Sequence, residues 1–176
     1  MSAAAATSAW MLGACGMGVG PLAIYLKGEG CEVSGWDDAT GSPMELQLAN
    51  AEIPLLRDPW AAGRAPLVVG RSSAVKPGHP ALDLAAAKGV RQLRRGELLA
   101  ERVADRRFVA VCGSHGKTTT CGMIVAALAS AGADFGYVLG GLFRDPTFPP
   151  ARASATSPWV VAEVDESDGT IGAFSP

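Results

Sequence analysis

Residues 107–120 read RFVAVCGSHGKTTT, an apolar strand followed by a glycine-bordered loop and the start of a helix. In such an arrangement the N–H groups at the helix start face a bound anion, and the helix dipole adds to the attraction. We therefore expect residues 113–120 to form a phosphate loop, with Lys117 between the β- and γ-phosphates of a nucleotide and Thr118 holding Mg²⁺. The standard motif has a further glycine where this chain has Val111, and the alternative is a tight strand–helix turn with an exposed lysine.

A second glycine-rich turn, GACGMGVGP, lies near the N-terminus at residues 13–21. It follows a predicted strand at 9–13 and leads into a predicted helix at 19–28, the position at which open α/β sheets bind diphosphates. Asp37 lies about 20 residues further on, at the end of the next predicted strand, where a ribose-binding acid belongs. The glycine spacing is not that of the standard dinucleotide fingerprint, so tight helix–strand packing without a ligand remains the alternative.

Four acidic residues within six positions follow a predicted strand at 159–164, in the segment VAEVDESD at residues 161–168. Carboxylates at the carboxyl end of a strand, in a domain with a phosphate loop, suit Mg²⁺ coordination. A solvated acidic turn is the alternative.

Predicted strands and helices alternate over the first hundred residues, which indicates βαβ units and a parallel sheet with helices on both faces. The predicted strands are 9–13, 31–36, 66–70 and 90–93, and the predicted helices are 19–28, 43–50, 80–88 and 96–105. Ser72 and Ser73 follow the third strand, at the edge where such sheets bind ligands, although a turn cap is an equally simple role.

The pattern restarts after the charged residues 101–107, with a strand at 107–112 and a helix from Lys117 to about Ala131. We therefore predict a Rossmann-like α/β domain over residues 1–104 and the beginning of a P-loop α/β domain over residues 105–176. Two or three strands and one helix form a thin core for about 70 residues, so we expect the chain to be an N-terminal portion of a longer protein.

Two details of the second domain are also predicted. The segment 140–158, which contains four prolines, is expected to be a long loop without regular structure. The buried face of the helix at 117–131 is expected to consist of Met123, Ile124, Ala127, Leu128 and Ala131.

The composition excludes several classes of protein. With 48% hydrophobic and 18% charged residues and a net charge of −2, the chain has a core-forming composition and no electrostatic reason to bind nucleic acid or anionic membranes. Its four cysteines show no zinc-binding spacing, and two histidines are too few for a metal cluster. Residues 1–26 are uncharged but lack a basic segment and are interrupted by four glycines and Pro21, so we expect a cytoplasmic protein.

Four segments together resemble the Mur ligase family, the ATP-dependent amide-forming ligases of peptidoglycan precursor synthesis. These segments are GACGMGVGPLA with CEVSGWD, VVGRSSAVKPGHPAL, AVCGSHGKTTT and VAEVDESDG, and they occur in the family's order. The phosphate loop of this family lacks the extra upstream glycine, which accounts for Val111. The DESD sequence at residues 165–168 is typical of the members that add L-alanine. A cysteine at the position of Cys15 resembles instead the members that add a recycled tripeptide.

The resemblance implies that ATP phosphorylates the lactyl carboxylate of UDP-N-acetylmuramate and that the amine of L-alanine then displaces phosphate. It implies a uridine diphosphate site formed by Gly13, Gly16, Gly18, Asp37, Ser72 and Ser73. It implies an ATP site formed by Gly113, Ser114, His115, Gly116, Lys117, Thr118 and Thr119. It implies Thr118 and Glu163 as Mg²⁺ ligands and Lys117, His115 and Glu166 as catalytic residues.

Three other functions remain open. A ligase that joins UDP-N-acetylmuramate to a tripeptide is the close alternative. For either ligase, we expect this stretch of chain to be inactive by itself. A nucleotide-binding module without catalysis is a second alternative. An NAD-dependent oxidoreductase would explain the first glycine-rich turn but leaves GSHGKTTT at residues 113–120 without a role.

Overall fold

The computed structural model describes residues 8–39, 41–145, 147–165 and 169–174, which form two four-stranded sheets. The strands of the first sheet are β1 (Ser8–Leu12), β2 (Glu32–Trp36), β3 (Val68–Arg71) and β4 (Arg91–Arg94). Its helices are α1 (Val19–Gly28), α2 (Pro43–Asn50), α3 (Pro80–Ala87) and α4 (Arg95–Val103). All neighbouring strands are parallel, in the order β2-β1-β3-β4, so the predicted parallel α/β architecture is confirmed.

Strand β1 is buried on both faces because helices cover both sides of the sheet. Trp10 and Leu12 pack with residues of α3, whereas Ala9 and Met11 pack with residues of α1, α2 and α4. This division follows the two-residue period of a strand, and it explains the continuous apolar sequence at this position.

Side chains at the helix starts hold α2 and α3 in place. Ser42 accepts a hydrogen bond from the Met44 N–H, and Glu45 accepts one from the Ser42 N–H, which confirms the predicted capping box. His79 is the cap of α3, because its Nδ1 accepts a hydrogen bond from the Ala81 N–H. Its Nε2 lies 3.0 Å from Asp38 Oδ2, and this hydrogen bond lowers the pKa of Asp38.

The second sheet contains β5 (Arg107–Val111), β6 (Gly136–Val138), β7 (Ala151–Arg152) and β8 (Trp159–Glu163), in the order β5-β8-β6-β7. Helix α5 (Lys117–Ser130) follows β5, and a 3₁₀ turn spans Ile171–Ala173. Strand β7 runs antiparallel to β6 and lies within 140–158, so the prediction of a loop without regular structure was wrong there. Two residues are too few to show a strand periodicity in the sequence.

The predicted buried face of α5 was partly wrong. Met123 is 61% exposed, and Ala127 and Ala131 are also exposed. The face that packs against the second sheet consists of Cys121, Ile124, Val125, Leu128 and Ala129. Because most positions of this helix are apolar, the sequence contains several overlapping apolar stripes, and the packing of the sheet selects one of them.

Helix α1 lies between the two sheets and belongs to the core of both. Residues Val19–Leu26 are all buried, and the cluster that contains them includes residues of β1 and also Val138, Val160 and Ala162 of the second sheet. A Cβ on Gly136 would lie 3.2 Å from the Tyr25 ring, which shows how closely α1 approaches β6. The two sheets therefore share the hydrophobic cluster around α1, and each sheet packs a second cluster of its own. The boundary predicted between residues 104 and 105 remains a prediction.

A polar contact continues this interface at the end of α1. Arg106 donates hydrogen bonds to Glu29 Oε1 at 3.3 Å and to the Ser157 carbonyl at 3.2 Å. Glu29 is largely buried, and its burial raises the pKa of its carboxyl group. In the part of the chain that the structure describes, the helices are all too short or too polar to cross a bilayer.

Replacing Tyr25 tests the packing of α1 between the sheets. Tyr25 is 1% exposed, so we expect Tyr25→Ala to lower the free energy of unfolding by about 3–5 kcal/mol through loss of burial and cavity formation. The exposed Met123 supplies a matched control, and Met123→Ala should change the free energy by about 0.5 kcal/mol or less. Urea unfolding followed by circular dichroism measures both, and equal losses for the two variants would contradict the packing described.

Candidate functional site

The phosphate loop (residues 113–120) joins the end of β5 to the start of α5, as predicted. Gly113 has a φ angle of +142°, and Gly116, the cap of α5, has a φ angle of +77°. Residues other than glycine rarely adopt such positive φ angles. The first N–H groups of a helix have no partner within the helix. The loop therefore brings the start of α5, where the helix dipole is positive, to the carboxyl edge of the second sheet.

Lys117 folds over this loop. Its Nζ donates a hydrogen bond of 2.7 Å to the Gly113 carbonyl and lies 3.7 Å from Asp165 Oδ1, with a side chain that is largely buried. The ammonium group is thus held close to the backbone that would surround a phosphate.

Thr118 and Glu163 form the closest polar contact between α5 and β8. The Thr118 hydroxyl donates a hydrogen bond of 2.7 Å to Glu163 Oε2. Two glycines after β6 make room for this pair, since a Cβ on Gly140 would lie 2.5 Å from Glu163 Oε2 and a Cβ on Gly141 would lie 2.9 Å from Thr118 Cγ2. The pair supplies two oxygen atoms of the kind that Mg²⁺ prefers.

The predicted uridine diphosphate residues lie at the carboxyl edge of the first sheet, where its strand order reverses. A Cβ on Gly13 would lie 2.9 Å from Ser72 Cβ, so the loops that follow β1 and β3 touch. The Ser72 N–H donates to the Leu12 carbonyl, and its hydroxyl accepts from the Ala74 N–H, which is the turn cap considered as an alternative. Such a switch point is where open α/β sheets bind ligands.

Asp37 fixes the first glycine-rich turn. Its two carboxylate oxygens accept hydrogen bonds from the Cys15 N–H at 2.8 Å and the Ala39 N–H at 2.9 Å. The Ser42 hydroxyl donates to the Cys15 carbonyl at 2.9 Å from the other side. Asp37 thus has a structural role in this geometry, and a contact to ribose remains a prediction.

Two cavities meet at Glu163. One, of about 260 Å³, lies over the phosphate loop and is lined by residues 114–119 and Glu163. The other cavity, the cleft, has a volume of about 240 Å³ and lies between the two sheets. The cleft is lined by Gly18, Val19, Ser72, Ser73, Arg95, Gly140, Glu163 and Asp165. The structure therefore places residues of both predicted binding sites around one carboxylate.

The remaining predicted site residues are less closely tied to this centre. His115 is exposed, with its Nδ1 3.3 Å from the Ser114 hydroxyl oxygen. Glu166, predicted to be catalytic, lies outside the described residues. Within the described ranges no group of three His, Cys, Asp or Glu side chains forms a metal cluster, so a cation here would depend on the Thr118–Glu163 pair.

Comparison with known proteins places this geometry in a family. The model described as the Mur ligase family, catalytic domain, matches residues 10–107, more than half of the chain. The chain belongs to the Mur ligase family. It is 41% identical over 171 residues to the UDP-N-acetylmuramate–L-alanine ligase of Kineococcus radiotolerans and 35% identical over 173 residues to that of a Synechococcus species. These matches cover 94% of this chain but 36% of each relative, so the chain spans about a third of the length of the curated relatives it matches.

Solved structures of Mur ligases share the fold. The UDP-N-acetylmuramate:L-alanyl-γ-D-glutamyl-meso-diaminopimelate ligase of Neisseria meningitidis matches with a TM-score of 0.80 and 28% identity, over 93% of this chain and 54% of that one. The UDP-N-acetylmuramate–alanine ligase of Thermotoga maritima matches with a TM-score of 0.80 and 25% identity, over 97% of this chain and 40% of that one. Both sheets of this Mur ligase chain are therefore included in the similarity.

Three residues around Glu163 in this Mur ligase chain were not predicted from the sequence. Gly140 and Gly141 stand beside the Thr118–Glu163 pair, and the signal for them in the sequence is the pair of adjacent glycines itself. Arg95 lines the cleft, but it belongs to none of the site motifs described in the sequence. Its place depends on the packing of α4 against α1, which local sequence does not show.

Thiol labelling tests the packing around this site. Burial raises the pKa of Cys15 to about 11, with Asp37 and Glu45 adding to the effect, and burial together with Glu163 raises the pKa of Cys121 to about 12. Because the thiolate is the reactive form, we expect iodoacetamide at pH 8 to modify the exposed Cys112 in the folded Mur ligase chain. Cys15, the buried Cys31 and Cys121 should react only after unfolding in guanidinium.

Mass spectrometry of the labelled chain measures this difference, and the Cys112→Ser variant is the control. That variant should take up no label while folded. Modification of Cys121 in the folded chain, at a rate similar to that of Cys112, would contradict the burial of the α5 face.

Proposed function

We propose that this chain forms the nucleotide-sugar site and part of the ATP site of a ligase that joins L-alanine to the lactyl carboxylate of UDP-N-acetylmuramate. The observation that carries this proposal is the position of Glu163, which lines both the cavity over the phosphate loop and the cleft between the sheets. A reaction between an ATP γ-phosphate and a sugar carboxylate requires such a meeting point, because the two reacting groups must lie within contact distance.

The nucleotide sugar would bind at the edge of the first sheet. Its diphosphate would lie against Gly13, Gly16 and Gly18, next to the N-terminus of α1, where the helix dipole favours an anion. Ser72 and Ser73 line the cleft beside this turn and would complete the site. The sugar would then extend from the first sheet towards Glu163.

ATP would bind at the phosphate loop, with its phosphates surrounded by residues 113–119 and Lys117 turned towards the β- and γ-phosphates. The residues present fit Mg²⁺, since this ion is commonly held by one or two protein oxygens together with substrate phosphates. Thr118 and Glu163 would hold the ion, which when bound would offset the negative charge of the phosphates. His115, exposed at the loop, and Glu166 would line the reacting centre.

The reaction proceeds by two displacements, the first at the γ-phosphorus of ATP and the second at the acyl carbon of the lactyl group. A carboxylate is a poor electrophile, so a lactyl carboxylate oxygen first attacks the γ-phosphorus, and ADP leaves. The amine of L-alanine then attacks the acyl carbon, loses a proton and expels phosphate, which gives the amide. Lys117 would neutralise charge on the phosphoryl group in transfer.

The relatives of this chain differ in the amine substrate that their names specify, so two amine substrates are candidates here. The curated relatives at 41% and 35% identity are named as L-alanine ligases, which favours L-alanine here. The Neisseria structure, whose name specifies a tripeptide, matches at 28% identity and the same TM-score as the Thermotoga alanine ligase. A ligase of UDP-N-acetylmuramate and a tripeptide is therefore the second candidate, and both candidates use the same nucleotide sugar.

Calorimetric titration of the chain with UDP-N-acetylmuramate, and separately with Mg-ATP, tests the proposal. We expect saturable binding of the nucleotide sugar with one site per chain. Binding of Mg-ATP is expected to be weaker than binding of the nucleotide sugar if residues beyond this chain complete the ATP site. A folded chain that binds neither ligand would overturn the proposed function, and binding of NADH in place of both would favour the oxidoreductase alternative.

Replacing Gly140 tests the role of the Thr118–Glu163 pair. A methyl group at Gly140 would displace the Glu163 carboxylate, so we expect Gly140→Ala to weaken binding of Mg-ATP by about tenfold or more. Binding of ATP in the presence of EDTA should change little, because the carboxylate would act through the metal ion. The control is Gly172→Ala, since no atom lies within 4 Å of a Cβ at that position.

Titration of both variants with ATP, with and without Mg²⁺, measures the effect. If Gly140→Ala binds Mg-ATP as well as the unchanged chain does, Glu163 is not a metal ligand.

A further inference from the structure

Arg95 is the buried cation among the residues that the structure describes. Its exposed fraction is 8%, and the other buried polar side chains among the described residues, Ser34, Gln47, Ser154 and Thr170, carry no charge. It is the first residue of α4 and follows β4 directly, so it stands at the carboxyl edge of the first sheet. A guanidinium group is buried at low cost only where its N–H groups are paired, so the contacts of Arg95 hold it in a defined position at this edge.

The contacts of Arg95 direct it to the boundary between the two binding regions. Its Nε donates a hydrogen bond of 3.3 Å to the carbonyl of Gly18, the residue that caps α1. Arg95 lines the cleft together with Glu163, the last residue of β8, and Asp165. Arg95 thus contacts the glycine-rich turn of the first sheet and lies near the acidic end of β8.

The charges around the cleft indicate which kind of ligand group Arg95 could bind. Of the residues described there, Glu163 and Asp165 are acidic, and Arg95 supplies the positive charge. Lys117 Nζ lies 3.7 Å from Asp165 Oδ1, so a carboxylate that enters the cleft is repelled chiefly by Glu163 unless a cation receives it. The planar guanidinium group binds a carboxylate through two parallel hydrogen bonds, which a single ammonium group does not do.

On the basis of the proposed function, we propose that Arg95 binds the lactyl carboxylate of the nucleotide sugar and determines the specificity of the cleft for that group. The carboxylate is then held beside Glu163, between the glycine-rich turn and the phosphate loop. Arg95 acts in binding and orientation of the acceptor, before any bond is formed or broken.

The test compares two nucleotide sugars that differ in the lactyl group. UDP-N-acetylglucosamine has the same nucleotide and ring as UDP-N-acetylmuramate but carries no carboxylate. We expect the unchanged chain to bind UDP-N-acetylmuramate at least about tenfold more tightly in calorimetric titration, since hydrogen bonds to charged groups contribute this much. Arg95→Met should lose this preference and bind UDP-N-acetylglucosamine as the unchanged chain does.

Arg94→Met is the matched control, because Arg94 is the neighbouring arginine, is paired with Glu97 and does not line the cleft. It should keep the full preference. Arg95→Lys keeps the charge without the forked geometry and should show a reduced preference, and it serves as the second variant if Arg95→Met does not fold.

The outcomes separate this inference from the proposed function. If the unchanged chain binds neither sugar, the proposed function itself is wrong. If it binds the two sugars equally, or if the Arg95 variants weaken both sugars to the same extent, Arg95 has a structural role and the inference is overturned.

Discussion

The site depends on the burial of α1 between two sheets. Because Val19–Leu26 pack against β1 on one side and against β6 and β8 on the other, the start of α1 stands at a fixed distance from the end of β8. Parallel sheets carry their ligands at the carboxyl ends of their strands, and α1 makes the two carboxyl ends face each other. The hydrophobic core that forms around this helix is therefore also what defines the cleft.

Small residues and charges then shape the space that α1 leaves open. Gly140 and Gly141 allow the Glu163 carboxylate to reach the Thr118 hydroxyl, and Asp37 holds the backbone of the opposite turn. Glu163 is reached from both cavities, so a phosphate on one side and an acceptor carboxylate on the other would meet at the same oxygen atoms. Such positions at strand and helix ends are held more rigidly than positions within long loops.

Structural features that neighbouring residues encode could be predicted from the sequence, whereas long-range contacts could not. The phosphate loop and the capping box of α2 are each encoded within a few neighbouring residues, so their structure follows from spacing and backbone chemistry. Strand β7, the buried face of α5 and the place of Arg95 depend on which surfaces pack together, and no local pattern records that. The functional roles of Asp37, Ser72 and Glu163 remain predictions, although the structure brings the last two to one cleft.

We expect a nucleotide sugar and ATP to bind on different sheets and to meet at Glu163. A crystal structure of the chain with UDP-N-acetylmuramate, Mg²⁺ and a non-hydrolysable ATP analogue tests it most directly. We expect the lactyl carboxylate oxygen to lie about 3–3.5 Å from the γ-phosphorus, the separation of reacting atoms before attack, with both groups beside Glu163. A nucleotide sugar bound away from the cleft, or a carboxylate that points away from Glu163, would contradict the claim.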